Sequence, residues 1–270
     1  MSSSLQIGTV GDVLRNWRQR RHLSQMALAG EAAVSTRHLS FVESGRAAPS
    51  RDMLLRLAET LGLPLRERNQ LLLAGGFAPS YPERPLDAPD MVAAKRAVEA
   101  VLAAQEPFPA LAVDRHWTLV AANGAVAALF GAVGPHHLVP PVNVLRLSLA
   151  PDGLAPFIIN LPEWRRHLLE RLRRDADASG DGTLRALHSE LLALPCPVST
   201  RPVSRPKAGS VAVPLILRHP TSGDRLSFLS TTTVFGTAVD VTLAELTLEC
   251  FYPADEPTRA SLLAASSRAA

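Results

Sequence analysis

The chain has 270 residues, 47% of them hydrophobic, and a net charge of +3. This length suits two domains with apolar cores, and no apolar run reaches the 18 residues that a membrane-spanning helix needs. The first residues lack a basic stretch followed by an apolar one, so we expect no secretory signal. Cys196 and Cys250 lie far apart and outside metal-ligand spacing, which predicts reduced thiols in a cytoplasmic protein.

The positive charge is concentrated near the N-terminus. Residues 1–75 contain 10 Arg and 6 acidic residues, a balance of +4, whereas the rest of the chain contains 18 basic and 19 acidic residues, a balance of −1. An excess confined to one segment is typical of a domain that binds a polyanion. The excess is small, so we expect specific binding to need two copies of the chain, as a homodimer.

Residues 1–76 are predicted to form a domain of five helices. The segments with apolar residues at helical spacing are 10–22, 25–32, 35–43, 52–61 and 65–74. Ser24 and Ser35 precede the second and third segments as N-caps. In the third segment Leu39 and Val42 are predicted to face the core, and the opposite face is polar. That outer face consists of Thr36, Arg37 and Ser40, which could enter the major groove of DNA and donate hydrogen bonds to base edges.

The stretch from residue 25 to residue 64 resembles the helix-turn-helix of the Xre / lambda-repressor-like family, whose five-helix domain covers most of residues 10–75. The resemblance implies that Gln25 contacts the DNA backbone and that Arg46 contacts a phosphate. The positions that would face the groove are Ser35, Thr36, Arg37 and Ser40. One departure is Ala33, where the family commonly has glycine; a positive φ there would cost about 1 kcal/mol. The alternative is an ordinary helical hairpin with no nucleic-acid role.

Residues 77–89 change in composition and mark a boundary between domains. Four prolines lie within these 13 residues, at positions 79, 82, 85 and 89. This spacing predicts an extended, semi-rigid linker.

Residues 90–255 are predicted to form the second domain. A helix at 90–104 is followed by a strand through Leu111 and Val113, a turn at 114–116, and a partner strand that includes Trp117. Asn123 then caps another helix.

Helices at 162–175 and 184–194 are predicted next, separated by a polar break at 175–183. The first carries Trp164 and Leu168 on one face, and its arginines, among them Arg171, are interpreted as a solvated face. The prolines of residues 195–207 predict a mobile loop. Strands at 211–217, 225–235 and 243–252 follow, in a sheet with one buried and one wet face. Residues 256–270 are predicted to form a frayed helix or a tail.

The order strand, turn, strand and Asn-capped helix resembles the opening of a PAS domain. Residues 90–255 also resemble the ligand-binding domain of MmyB-like bacterial regulators, notably at 143–149, 160–174 and 218–228. The fold class is therefore two domains: an all-α five-helix DNA-binding bundle and an α+β PAS-like domain with an antiparallel sheet.

The family resemblance implies a cavity for an elongated apolar ligand such as a fatty acid. The residues expected to line it are Trp117, Leu119, Phe130, Phe157, Trp164, Leu168, Val213, Leu215 and Phe228. The alternative for each is plain core packing. Arg146 or Arg218 could anchor a carboxylate by charge.

No constellation of catalytic residues is recognisable, so we expect no enzyme and no cofactor. His136-His137 lies beside Gly134-Pro135 and is interpreted as a loop rather than a metal site. The function that fits best is a bacterial, ligand-responsive transcriptional regulator that binds double-stranded DNA and no membrane. The alternatives are an antitoxin or adaptor that mainly binds protein, with DNA binding secondary, and an enzyme domain fused to the motif.

Overall fold

A computed structural model describes residues 8–131, 133–196, 212–220 and 222–269. The chain divides into two compact units. The first consists of Met1–Arg84 with Thr237–Ala244, and the second of Pro85–Gly236 with Glu245–Ala270. The predicted loop at 195–207 lies outside the described residues from residue 197 onward.

The first unit contains the five predicted helices. They are α1 (Val10–Arg20), α2 (Gln25–Glu31), α3 (Thr36–Glu43), α4 (Arg51–Thr60) and α5 (Leu65–Ala74). The hydroxyls of Thr9, Ser24, Ser35 and Ser50 accept hydrogen bonds from backbone amides in the first turns of α1 to α4. These amides have no hydrogen-bond acceptor within their own helix. One buried apolar cluster draws on all five helices, with Leu14, Leu28 and Leu39 fully buried.

The second unit combines helices with a five-stranded antiparallel sheet. Its helices are α6 (Val92–Ala104), α7 (Gly124–Phe130), α8 (Val144–Leu149), α9 (Leu161–Ser179) and α10 (Gly182–Ala193), and later α11 (Val241–Glu245), shared with the first unit, and α12 (Glu256–Ala269). Its strands are β1 (Ala110–Val113), β2 (Leu119–Ala122), β3 (Leu215–Arg218), β4 (Arg225–Val234) and β5 (Thr247–Pro253), in the order β2-β1-β5-β4-β3. The predicted fold class is confirmed.

Three details of the predicted sheet are wrong. The strand predicted at 211–217 corresponds to β3, which begins only at Leu215. Trp117 does not belong to the second strand: it has a φ of 64°, because the Asp114 carboxylate accepts the amides of His116 and Thr118 and so lengthens the turn. Nor does the last strand begin at residue 243. The Asp240 carboxylate accepts the amide of Thr242 and caps α11, which delays the strand to residue 247.

At β1 and in the middle of β5 the sheet is covered on both faces, contrary to the prediction of a wet face. Elsewhere the predicted exposure is present: β2 alternates between half-buried and exposed residues, and the last four residues of β4 are exposed. All four residues of β1 are buried, and Glu249 of β5 is only 4% exposed. The two outer strands of the sheet, β2 and β3, flank these inner strands. A charged side chain on an inner strand therefore has to find its partner inside the domain.

The helix boundaries also differ from the predictions. Helix α9 continues through the predicted polar break as far as Ser179 and ends where Gly180 takes a φ of 72°. Of the frayed helix and the tail predicted for residues 256–270, the structure has the helix: α12 packs against β4 and β5 and buries Thr258 completely. Among the described residues, no helix combines the length and apolar character required to cross a bilayer.

Candidate DNA-binding and ligand-binding sites

The third helix presents a polar surface on an apolar base. Leu39 and Val42 have no exposed surface, which confirms the predicted inner face. Ser35, Thr36 and Arg37 are exposed, and Ser40 is half-buried. The Arg37 guanidinium lies 5.4 Å from the centre of the Phe41 ring, a cation–π contact on the same helix.

The turn between α2 and α3 fixes where this surface points. Ala33 has a φ of 53°, the left-handed conformation that the sequence raised as a possibility, and its strain is about 1 kcal/mol. The amide of Val34 donates to the carbonyl oxygen of Ala29 at 2.9 Å, which closes the end of α2. The tight turn is therefore made without glycine.

A buried charged network joins α1, α2 and α3. Glu43, the last residue of α3, accepts two hydrogen bonds from Arg18 at 2.7 and 2.8 Å and one from Gln25 Nε2 at 2.8 Å. Burial raises the pKa of the Glu43 carboxyl, but these hydrogen bonds outweigh burial and hold that pKa below its ordinary value. The network fixes the end of α3 against α1.

Helix α1 approaches the end of α3 very closely. A Cβ atom at Gly11 would lie 2.6 Å from the carbonyl oxygen of Val42 and 2.7 Å from that of Glu43. Arg15 also donates to the Glu43 carbonyl at 2.6 Å. Only glycine fits at this contact, because any side chain would push the two helices apart.

Two residues predicted to contact the DNA backbone lie apart from the groove-facing set. Gln25 is half-buried and uses its amide in the network with Glu43, and Arg46 is exposed in the loop after α3. The DNA-binding roles of these residues and of the groove-facing set remain predictions.

The second unit contains a partly open apolar cavity of about 90 Å³ among β1, β3, β4, β5 and helices α7, α8 and α9. Six of the nine predicted lining residues border it: Trp117, Phe130, Trp164, Leu168, Leu215 and Phe228. The other three do not. Leu119 and Val213 pack against the neighbouring core, and Phe157 is half-buried in a 3₁₀ turn.

One wall of the cavity is charged. Arg171 of α9 donates to Glu249 Oε1 of β5 at 2.6 Å, and its guanidinium carbon lies 4.5 Å from the centre of the Trp117 ring. Thr232 donates to the same carboxylate oxygen at 3.2 Å. His167 also lines the cavity, and burial, followed by the nearby Arg171, lowers the pKa of its imidazole. The wall thus holds one positive and one negative charge.

The arginines chosen from the sequence as carboxylate anchors are not in this cavity. Arg146 is half exposed and forms a bidentate pair with Glu190 at 2.6 and 2.7 Å, and Arg218 is exposed at the end of β3. The sequence did contain a signal for Arg171: positions 164, 168 and 171 share one helical face. The apolar character of that face at Trp164 and Leu168 would have identified Arg171 as buried.

Comparisons with known proteins agree with the division of the chain into two units. Residues 94–264 match the family model described as the MmyB-like transcription regulator ligand binding domain, and residues 9–71 match a helix-turn-helix domain. The chain is also similar to a proposed HTH-type transcriptional regulatory protein of Methanoculleus marisnigri, at 37% identity over 116 residues. That match covers 41% of this chain and 37% of the relative, so it spans little more than a third of the relative's length.

Two solved structures are similar in part. The restriction-modification controller protein C.AhdI from Aeromonas hydrophila is 31% identical, and the match covers 23% of this chain and 94% of that one with a TM-score of 0.22. An RNA-binding light-oxygen-voltage receptor is 15% identical, with 96% and 64% of the two chains covered and a TM-score of 0.28. The match over residues 94–264 is more than half of the chain, and the chain therefore belongs to the MmyB-like transcription regulator family, with a helix-turn-helix domain before its ligand-binding domain.

Proposed function

We propose that this regulator binds specific operator DNA as a homodimer in the cytoplasm and that an amphipathic small molecule in the second unit controls the binding. The observation that carries the proposal is the exposed Thr36–Arg37 surface on the buried base of Leu39 and Val42. An arginine on such a surface can donate two hydrogen bonds to guanine in the major groove. The apolar cavity of the second unit supports the second part of the proposal.

Control by ligand requires two states of the dimer. Two recognition helices match two half-sites only when they lie about 34 Å apart, one turn of DNA. A ligand favours one state only if it binds that state more tightly than the other. We propose that filling the cavity changes the dimer packing and with it the spacing of the recognition helices.

Replacing Arg37 with Ala is expected to cost about 1–3 kcal/mol of discrimination between operator and unrelated DNA, because one base contact is lost. General, salt-dependent binding should persist, since other basic residues remain. The measurement is fluorescence anisotropy with an operator selected from a random library and with a scrambled duplex.

Arg56→Ala is the matched control, because Arg56 is an exposed arginine of α4 outside the recognition helix. Arg56→Ala should leave the ratio of the affinities for the operator and for the scrambled duplex unchanged. Equal ratios in wild type and Arg37→Ala would contradict the proposed role of Arg37.

The cavity points to a ligand with an apolar chain and one polar group. Its lining is mostly aliphatic and aromatic, and Arg171 offers a charged donor on one wall. We propose a carboxylate with an aliphatic chain, whose head group takes the place of Glu249 as the partner of Arg171. The present volume of about 90 Å³ is smaller than the roughly 150 Å³ that accommodates benzene, so such a chain enters only when a wall moves.

Leu168→Trp is expected to weaken binding of decanoate at least tenfold, because the indole would occupy the cavity. The change is measured by isothermal titration calorimetry with the full-length protein. Leu192→Trp is the control, because Leu192 lies 56% exposed on α10 and outside the cavity lining. If decanoate bound both variants as it binds the wild type, the cavity would not be its site.

A further inference from the structure

Three side chains of types that can bind a metal lie at the two ends of the segment that contains α8. His136 and His137 occupy a 3₁₀ turn (Pro135–Leu138), and Asp152 follows α8. His136 Nε2 lies 2.9 Å from Asp152 Oδ2, and His137 Nε2 lies 2.8 Å from Asp152 Oδ1. Among the described residues, this is the one group of three or more such side chains whose donor atoms all lie within 4.8 Å of one another.

The backbone holds the three residues in place. The amide of Gly134 donates to the carbonyl oxygen of Asp152 at 3.2 Å, and the amide of His137 donates to the carbonyl oxygen of Gly134 at 2.9 Å. A Cβ atom at Gly134 would lie 2.9 Å from the His136 ring and 3.3 Å from that carbonyl of Asp152, so glycine permits the close approach. The two imidazole rings lie 4.2 Å apart, centre to centre.

Two imidazole nitrogens and one carboxylate oxygen suit a transition-metal ion better than Mg²⁺ or Ca²⁺, which prefer oxygen ligands. Tetrahedral zinc, with bonds of 2.0–2.1 Å, separates its donor atoms by about 3.3 Å. The two histidine-to-carboxylate distances of 2.9 and 2.8 Å, each to a different oxygen of Asp152, are somewhat shorter than that value, and all the donor atoms lie within 4.8 Å of one another. The side chains of His136 and Asp152 are more than half exposed, which leaves room for a water molecule as a fourth ligand.

The same residues enclose a segment that forms part of the cavity wall. Between His137 and Asp152 the chain forms α8, and its residues Val144, Leu145, Leu147 and Ser148 line the cavity. Leu147 also packs with Val133 and Val142 in a small apolar cluster. An ion bound by both ends of this segment would restrain the wall that has to move when a ligand enters.

We propose that His136, His137 and Asp152 bind a Zn²⁺-type transition-metal ion, which holds the α8 wall closed and slows ligand exchange. The metal site depends only on these three side chains. Its effect on exchange rests on the function proposed above.

The test is isothermal titration of Zn²⁺ into full-length, tag-free protein that has been treated with a chelator. The wild type should bind one equivalent, and His137→Gln and Asp152→Asn should each bind at least tenfold more weakly. His188→Gln, in α10, is the control and should bind as the wild type does. Circular dichroism establishes that the variants are folded. Equal affinities in wild type, His137→Gln and Asp152→Asn would overturn the site.

Stopped-flow release of decanoate tests the effect on exchange. Saturating Zn²⁺ should slow release at least threefold in the wild type and leave the rate in Asp152→Asn unchanged. An unchanged rate in zinc-loaded wild type would refute the restraint while the metal site stands. Failure of decanoate to bind at all would refute the proposed ligand class, and the zinc titration would still decide the metal site.

Discussion

Replacing Glu43 with Ala is expected to destabilise the helix-turn-helix unit by about 3–5 kcal/mol, because the substitution removes one partner of a buried ion pair. The Glu43 side chain has no exposed surface, and that of Arg18 is 12% exposed. Without Glu43 the guanidinium stays buried, with the carbonyl oxygen of Leu23 as its other acceptor at 2.9 Å. Urea denaturation followed by circular dichroism measures the loss.

The pH dependence of this loss has a definite sign. The folded-state pKa of Glu43 lies below its ordinary value, so its contribution to stability is fully present above about pH 4.3 and is lost as the pH falls through the folded-state pKa. The difference between wild type and Glu43→Ala should therefore shrink in acid. Glu59→Ala, on the exposed side of α4, should cost less than about 0.5 kcal/mol. A loss below 1 kcal/mol at pH 7 for Glu43→Ala would contradict the role of the network.

The same substitution should weaken operator binding, even though Glu43 itself is too deeply buried to touch DNA. Glu43 ends α3, and its partners lie on α1 and α2. Loss of the network would free the recognition helix to move relative to its base. This effect differs from that of Arg37→Ala, which should change sequence preference and leave stability nearly unaltered.

The first unit could be predicted well because its signals are local. Serines at 24 and 35 cap the helices, and the spacing of Leu39 and Val42 separates the inner face from the outer one. The network could not be predicted in the same way. Glu43 lies 25 residues from Arg18 and 18 from Gln25, and a glutamate at the end of a surface helix is usually solvated.

The second unit was harder because long-range pairing decides its details. Glu249 alternates with apolar residues in the sequence and so reads as an exposed position, but it lies on an inner strand beneath α9. Asp152 lies 15 residues from His137, and only the fold brings them together. The turn at Trp117 depends on the Asp114 carboxylate, which accepts hydrogen bonds from two backbone amides. This signal is local, but the alternation of apolar residues around it favours a strand instead.

Replacing Arg171 with Met is expected to destabilise the second unit by about 3–5 kcal/mol and to abolish decanoate binding. The destabilisation follows because Glu249, 4% exposed, would stay buried and, within the part of the chain that the structure describes, would keep only the Thr232 hydroxyl as a side-chain hydrogen-bond donor. The loss of binding follows because the decanoate carboxylate would meet the unpaired negative charge of Glu249 instead of the Arg171 guanidinium. Urea denaturation and calorimetric titration measure the two effects.

A double variant separates stability from ligand recognition. Arg171→Met combined with Glu249→Met replaces the pair with apolar groups, which is often neutral or stabilising. We expect it to recover most of the lost stability but none of the decanoate affinity. Recovery of both would mean that Arg171 serves only to pair with Glu249.

Glu249→Gln makes the opposite change in the same pair. The amide keeps the shape of the side chain but removes its negative charge, so Arg171 becomes available to a ligand carboxylate. Decanoate should bind at least tenfold more tightly than to the wild type, whereas decanol, which has no charge, should bind the two proteins within about threefold of each other. This contrast depends on charge alone, because both ligands have the same chain. Equal gains for decanoate and decanol would show that the cavity selects its ligand by its apolar chain and that the Arg171–Glu249 pair is structural.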